Sequence, residues 1–433
     1  MPSSACCPRK DPSSTLHERR ARTRDVLPNM HRVVITGMGA VTPLGATAAA
    51  SWAAMREGRS AIGPITSLPR ETLRFGIAAE VRDFDARAHF DEKRLILLDR
   101  VSQFALVAAR EAIAQSGIDF QHDGIGENTA VVIGTGVGGE QSHDEASRRL
   151  YGENNPRLHP LTIVRLMANA PASHISIEYG LTGPSFATVS ACASSNHALA
   201  QAFHMVRSGV AAAAVAGGSE ACITLGVVKA WEAMRVMADD TCRPFCRQRR
   251  GMVLGEGAGI FVLETLERAR ARGANLLAEF VGAGMSADAG DIVFPSETGA
   301  ARAMQRALDD AGLAADGIDY INAHGTGTPA NDPTESKAIR RVFGAHADGL
   351  AVSSTKSMHA HALGAAGAIE LVAVIGALRD GVIAPTANFI DADPECDLDV
   401  VPNAAREKPV RAALSNSFAF GGLNAVLAVR RAP

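Results

Sequence analysis

The sequence predicts a layered α/β protein built from two related halves. Short runs of Val, Ile and Ala, among them RVVITG, TAVVIGTG, AAAAVAGG, GIFVLE and AVLAVR, alternate with helical patterns from residue 31 onward. Such alternation gives βαβ layers. Segments also recur in order. The helix AREAIAQSGI leads to VVIGTGVGG and the helix MQRALDDAGL leads to YINAHGTGT, while MVRSGVAAAAVAG after Cys192 is echoed by ALRDGVIAPTANF after His361. An internal duplication accounts for both pairs. At 433 residues, 47% hydrophobic and 21% charged, the chain is long enough for more than one core.

Residues 1–29 are polar, rich in Ser, Pro and Arg, and hold no apolar stretch like that of a secretory signal. They read as a disordered tail, with Met30 as the expected natural start. HRVVITG then opens the first half as a strand. TAVVIG is another strand, and the GTGVGG that follows from residue 134 to 139 fits the G-x-G-x-x-G pattern of dinucleotide sites. The next stretch, EQSHDEASRRLYGENN, lacks a clean apolar helical face, so a loop that needs glycines explains the pattern equally well. A nicotinamide-dependent reductase therefore stands as a rival reading. PSFATVSAC is an apolar strand-like run that gives way to ASSNHALAQAFHMV, a small-residue helix, and ETLERARARG closes the first half. The boundary falls near residues 268 to 280, giving one half over 30–275 with Cys192 and another over 276–433 with the histidines. In the second half AEFVGAG, YINA and LAVSST are strands, and SNSFAFGGLNAVLAV joins a Gly-rich turn to a final strand.

The strand-to-helix junction at Cys192 sets the chemistry. The first N–H groups of a helix lack partners and carry partial positive charge, so negative sulfur is favoured there. A thiol of ordinary pKa about 8.5 is expected to shift down at such a place and become a thiolate nucleophile. Free cysteines often only fill space. Cys222, Cys242, Cys246 and Cys396 have no comparable setting and read as packing or surface residues, and no second pair completes a zinc set with Cys242 and Cys246. His324 ends the run DYINA and meets GTGT, so its imidazole projects from a tight turn at a strand end, where α/β folds place function. His359 and His361 alternate along SMHAHAL, and an extended segment would point both to one side. Lys356, within a Ser and Thr run, offers an ammonium for anionic intermediates. Together these residues point to carbon–carbon bond formation on thioesters.

The formal net charge of −3 gives no pull toward nucleic acid. The longest apolar runs, GVAAAAVAGG and IELVAVIGAL, fall far short of the roughly 18 residues that span a bilayer. Seven scattered cysteines fit a reducing cytoplasm better than a disulfide framework, with peripheral membrane association left open.

In combination the segments resemble the β-ketoacyl-acyl carrier protein synthase family, condensing enzymes of the thiolase fold. The likeness runs from RVVITGMGAVTPLG to NSFAFGGLNAVLAV through VSACASSNHA, GGSEA, TCRPF, GMVLGEGAG, NAHGTGTPANDPTE and STKSMHAHALGAAGAIE. It is similar to the synthase II type and most like the nodulation protein E branch, in WAAMREGRSAIGP, VKAWEAMR, GMSADA and DPECDLDVVPN. That branch is associated with unusual unsaturated acyl chains on lipo-chitooligosaccharide signals. The resemblance implies a thiolase-like α/β fold, two duplicated βαβ-type halves in a five-layer αβαβα arrangement, in a homodimer. It implies that Cys192 accepts the acyl group and that His324 and His361, with Lys356 beside them, form the decarboxylation site. The backbone N–H groups of Cys192 and Phe420 would hold the oxyanion, and Phe420 would gate the pocket. Thr326 and Thr328 match positions that bind a pantetheine arm, and Glu370 matches a carboxylate near Lys356. The implied reaction is a decarboxylative Claisen condensation of the acyl group on Cys192 with malonyl-acyl carrier protein, giving a 3-oxoacyl-acyl carrier protein. No metal or redox cofactor is implied, and the partner is the acyl carrier protein.

Two departures from the common pattern matter. Ala419 stands where Gly is usual, which predicts a stiffer gate because Ala avoids positive φ. RPFCRQRRGM stands where RPFDRDRDGF is common, leaving Arg243, Arg247, Arg249 and Arg250 as a basic cluster, read either as partly facing an acidic carrier or as a solvated charged loop. Two more rivals are weighed by residue content. Chain-length factors generally lack the nucleophile that Cys192 supplies, and degradative thiolases use a second catalytic Cys where this chain has the His pair.

Overall fold

Alternate residues of each strand bury against different layers, and that period of two sets the architecture. The computed structural model describes residues 30–433, so the expected tail over 1–29 lies outside the described residues. Strands β1 (Val33–Val41), β2 (Thr129–Gly134), β3 (Ser185–Thr188), β4 (Ala213–Glu220) and β5 (Gly257–Thr265) lie side by side in the order β3-β2-β4-β5-β1. Strands β6 (Ala278–Ala287), β7 (Tyr320–Asn322), β8 (Ala351–Ser353), β9 (Ala412–Ala419) and β10 (Leu423–Arg430) lie in the order β8-β7-β9-β10-β6. Each set runs third, second, fourth, fifth, first. In each, the first three of that order are parallel and the fifth strand is antiparallel to both neighbours. The repeated segments thus correspond to a repeated topology. β1 and β6 pair antiparallel, Val33 opposite Phe280, and join the two sets into a ten-stranded sheet. At this seam Arg32 and Arg430 each donate to the Glu279 carboxylate at 2.7 Å.

The helices that matter for the site are α1 (Arg100–Ser116), α2 (Ser194–Arg207), α3 (Leu225–Met234), α4 (Glu297–Ala311), α5 (Asn331–Phe343) and α6 (Ala366–Asp380). Val131 and Ile133 of β2 face a core with α1, whereas Ala130 and Val132 face a core shared with α2 and α6. In the second set Ile321 and Leu414 face α4 and α5, whereas Tyr320 and Ala413 face the shared core. The layers are therefore α, β, α, β, α, with α2 and α6 in the middle. IELVAVIGAL has no polar face because α6 is enclosed on all sides, buried without a break from Ala366 to Leu378. Among the described residues no helix is long and apolar enough to cross a membrane.

The central helices approach closely because side chains are missing at the contact. A Cβ on Gly367 of α6 would lie 2.2 Å from Asn196 Oδ1 of α2, and one on Gly134 would lie 2.4 Å from the backbone of Ser194. Both helix N-termini are thereby drawn to one place, and the site forms there.

Candidate active site

Cys192 sits on a tight turn, Ala191–Ala193, immediately ahead of α2. The turn demands a left-handed Ala191, φ 49°, and short polar side chains hold it. Ser194 Oγ accepts from the Ser190 N–H at 2.9 Å and donates to the Ala191 carbonyl at 2.7 Å, while Thr188 Oγ1 donates to the Ser194 carbonyl at 2.8 Å. The thiol ends at the foot of a cavity of about 350 Å³ that His324, His361, Thr326, Thr328 and Phe420 also line. The Cys192 sulfur and one ring nitrogen each of His324 and His361 all lie within 4.8 Å of one another. Three segments far apart in sequence thus meet at one point.

The expectation of a resting thiolate is corrected. Burial pushes the Cys192 thiol up to about 11, and the Lys356 charge together with the backbone N–H groups of Cys192 and Phe420, which do favour the anion, offset only part of that. The helix terminus acts in the expected direction, but desolvation of the sulfur is larger. The two N–H groups that face the sulfur are those of the expected oxyanion site.

His324 follows β7, and its own N–H and that of Gly325 donate to Glu335 of α5, each at 2.8 Å. Its ring stands edge-on to that of His361, centroids 5.4 Å apart at 82°. Burial first, then the Lys356 charge, holds both imidazoles well below their ordinary pKa, so both are neutral near pH 7. Lys356 is fully buried, donates to the His324 carbonyl at 2.6 Å, approaches His324 Nδ1 at 3.4 Å, and pairs with Glu370 of α6. An ammonium only donates, so this contact leaves Nδ1 as acceptor and places the ring proton on Nε2. Burial raises Glu370 to about 7 against the pull of Lys356. Lys356 and Glu370 lie behind the cavity and do not line it.

His361 is held by its backbone, between left-handed Ala360 (φ 58°) and left-handed Leu363 (φ 41°). Its N–H donates to Val253 at 2.8 Å and its carbonyl accepts from Gly255 at 2.9 Å. Neither ring nitrogen has a hydrogen-bond partner among the described residues. The expectation that His359 and His361 share one side fails here. His359 ends a short helix, Lys356–His359, and bonds Thr355 Oγ1 at 3.0 Å, and the reversal at Ala360 sends the two rings apart.

Thr326 and Thr328 are hydrogen-bonded to one another, Oγ1 to Oγ1, at 2.9 Å on the cavity wall. Phe420 stacks on Trp231 of α3, ring centroids 5.8 Å apart. Ala419 ends β9 without positive φ, and the left-handed positions are Gly421 (81°) and Gly422 (67°). In this conformation Ala419 is therefore unstrained. The basic cluster divides as well. The Arg249 side chain is buried against Asp393 and Arg243 is paired with Asp240 at 2.5 Å, whereas Arg247 and Arg250 are exposed, the latter lining the cavity and 3.5 Å from Asp239.

The glycine turn of residues 134 to 139 holds one of the chain's own carboxylates. Gly136 N–H donates to Glu220 Oε2 at 2.6 Å and Thr135 Oγ1 donates to Oε1 at 3.1 Å. Those donors are spent on Glu220, which removes the basis for a pyrophosphate site. Cys242 and Cys246 are buried separately, Cys242 on the Thr326 carbonyl at 3.5 Å and Cys246 on Gln248 at 3.1 Å. Sequence reasoning missed Glu220, Glu335 and Asp332, whose carboxylates hold the site's turns. A local signal existed only for Asp332 and Glu335, two acids in NDPTES close after the turn GTGT, whereas Glu220 ends a strand and takes its donors from turns distant in sequence.

Known proteins resemble the chain over most of its length. A family model described as Beta-ketoacyl synthase, N-terminal domain, matches residues 30–269, and one described as Beta-ketoacyl synthase, C-terminal domain, matches residues 277–390. The chain is 50% identical over 400 residues to nodulation protein E of Rhizobium sp. (strain N33), covering 92% of this chain and 99% of that protein. It is 42% identical over 407 residues to 3-oxoacyl-[acyl-carrier-protein] synthase 2 of Staphylococcus aureus (strain N315), covering 92% and 98%. Among solved structures it matches the ketosynthase AntDE, bound to a hexaketide and in complex with the type II PKS acyl-carrier protein AntF. There the TM-score is 0.84 with 30% identity, over 94% of this chain and 100% of that one.

Proposed function

The chain belongs to the beta-ketoacyl synthase family, and we propose that it condenses an acyl group held on Cys192 with malonyl-acyl carrier protein, giving a 3-oxoacyl-acyl carrier protein and carbon dioxide. The observation that carries this reading is the mutual approach of the Cys192 sulfur and the His324 and His361 ring nitrogens within 4.8 Å at the foot of one cavity.

In the first half-reaction Cys192 attacks an acyl-carrier thioester. Its proton passes to a free ring nitrogen of His361 and then to the departing carrier thiolate, while the backbone N–H groups of Cys192 and Phe420 hold the oxyanion. A neutral base beside a buried thiol suits this transfer, because neither group is charged before reaction. In the second half-reaction the carbon–carboxylate bond of the malonyl thioester breaks. The electron pair moves to the thioester oxygen, where His324 Nε2–H and a His361 N–H stabilise the enolate. The enolate carbon attacks the acyl-Cys192 carbonyl, the carbon–sulfur bond breaks, and the sulfur leaves as a thiolate that takes up one proton from solvent to restore the thiol. Lys356 and Glu370 act behind the ring of His324, and Thr326 and Thr328 receive the polar pantetheine arm. Arg247 and Arg250 offer the exposed charge to an acidic carrier.

The reading extends to a cytoplasmic homodimer that needs no metal or redox cofactor, divided into a tail of residues 1–29 and halves over 30–275 and 276–433. The likeness to nodulation protein E supports a specialised acyl chain of the nodulation-signal type, and the likeness to synthase 2 supports fatty acid synthesis. Purified protein given acyl- and malonyl-loaded carrier should release carbon dioxide and a chain two carbons longer, read by mass spectrometry. Absence of that product with both carriers loaded sinks the proposal. Activity should be unchanged by EDTA or 1,10-phenanthroline, and its loss with return on adding zinc would make the sulfur and imidazoles metal ligands instead.

A further inference from the structure

Glu220, the last residue of β4, is fully buried, and its carboxylate collects donors from two turns that belong to different halves. Gly136 N–H donates to Oε2 at 2.6 Å from the turn after β2, and Gly364 N–H donates to the same oxygen at 2.9 Å from the turn ahead of α6. Thr135 Oγ1 and the Val137 N–H add bonds to Oε1 at 3.1 and 3.4 Å. The turns touch backbone to backbone, since a Cβ on Gly364 would lie 2.2 Å from Gly136 N. No side chain fits between them, and Glu220 is what satisfies both sets of N–H groups.

The turn at Gly364 also fixes His361. Between Ala360 and Leu363 the backbone turns left-handed twice without glycine, which L residues resist, so the segment keeps its shape only where neighbours over-determine it. The His361 ring has no hydrogen bond of its own to orient it among the described residues. We propose that Glu220 is a positioning residue for the condensation, clamping the His361 turn to the glycine turn after β2 so that the imidazole is aimed at the reacting oxygen. The proposal rests on the ketosynthase reading of the site and adds a role that acts only through His361. Burial lifts the Glu220 carboxyl to about 7 against the hydrogen bonds it accepts, and above that pH its negative charge opposes ionisation of Cys192, so Glu220 also sets the field at the nucleophile. One carboxylate therefore acts in opposite senses on the two half-reactions.

That opposition supplies the test. Glu220→Gln keeps the volume but removes the charge and turns an amide toward backbone donors. Carbon dioxide release from malonyl carrier should fall by about tenfold to a hundredfold, the scale for a displaced reacting group. Iodoacetamide alkylation of Cys192, followed by intact mass, should instead be faster at pH 8, with its pH midpoint moved down. Equal loss in both readouts, or no change in either, overturns the clamp. Gly364→Ala, which pries the turns apart with the carboxylate intact, should lose decarboxylation without the alkylation shift. Should both variants fail to fold, hydrogen exchange on the wild type decides. The Gly136 and Gly364 amides should exchange as slowly as those of β4, and fast exchange refutes the clamp. Wild-type protein that releases no carbon dioxide would sink the ketosynthase reading, while the alkylation and exchange measurements would still judge Glu220.

Discussion

The turn ahead of α2 and the turn ahead of α6 are the same piece of the fold written twice. Each is a short helical turn that starts on a left-handed, non-glycine residue, Ala191 (φ 49°) or Leu363 (φ 41°), and each feeds a central helix. In the first, the next residue is Cys192, whose N–H faces its own sulfur. In the second, the next residue is Gly364, whose N–H is taken by Glu220 and whose surroundings admit no Cβ. The chemistry of the second half has moved to the neighbouring His361 and to His324. Duplication supplied two elbows, and packing left room for a nucleophile on only one.

The sharpest way to break that division of labour is Cys192→Ala. Condensation should fall by about 10⁴-fold or more, as for loss of a covalent nucleophile, with no acyl adduct by intact mass. Carbon dioxide release from malonyl carrier should persist, because the second half is untouched. If both disappear together, the halves do not act separately. His324→Ala should do the converse. Decarboxylation drops by about 10²–10³-fold, the usual cost of removing one oxyanion donor, while the acyl adduct on Cys192 still forms.

Lys356→Met asks whether the second half depends on its buried pair. Leaving Glu370 without its partner should cost about 3–5 kcal/mol of stability, read by chemical denaturation. Glu370 lies above its unfolded value, at about 7 even with Lys356 present, so its ionisation opposes folding as pH rises. The loss should be larger at pH 8 than at pH 5.5, and a pH-independent loss would argue against an ionising carboxyl there. The smallest effects are pH profiles of the wild type. Alkylation of Cys192 should keep rising above pH 9, since burial holds the thiol up to about 11. Decarboxylation should stay level as pH falls through 6.5, since both imidazoles titrate well below their ordinary value. A step near 6.5 would place a charged histidine in the site.

The strands and their duplication were legible because Val and Ile runs carry a period that survives any tertiary context. Cys192 and His324 were legible because each ends a strand-like run beside a turn. Other features depend on neighbours that no local pattern records. Ala360 is left-handed although nothing in SMHAHAL requires it, and that one dihedral parts His359 from His361. The thiol's ionisation was misjudged because helix position can be read from a sequence, whereas the depth of burial that outweighs it cannot. Glu220 and Glu335 were overlooked because a lone acid after a strand or in a helix has no period. Their meaning comes from N–H groups on other segments.

Where α2, α6 and the turn after β2 meet, the fit is made by what Gly134, Gly364 and Gly367 leave out. Trp231 and Phe294 stand at the cavity mouth, away from that seam. Variation that retunes which chain is accepted can therefore accumulate at the rim while the axle between the halves stays fixed. A mutant library spread over both regions would sort accordingly, with altered preference at the rim and lost expression at the axle.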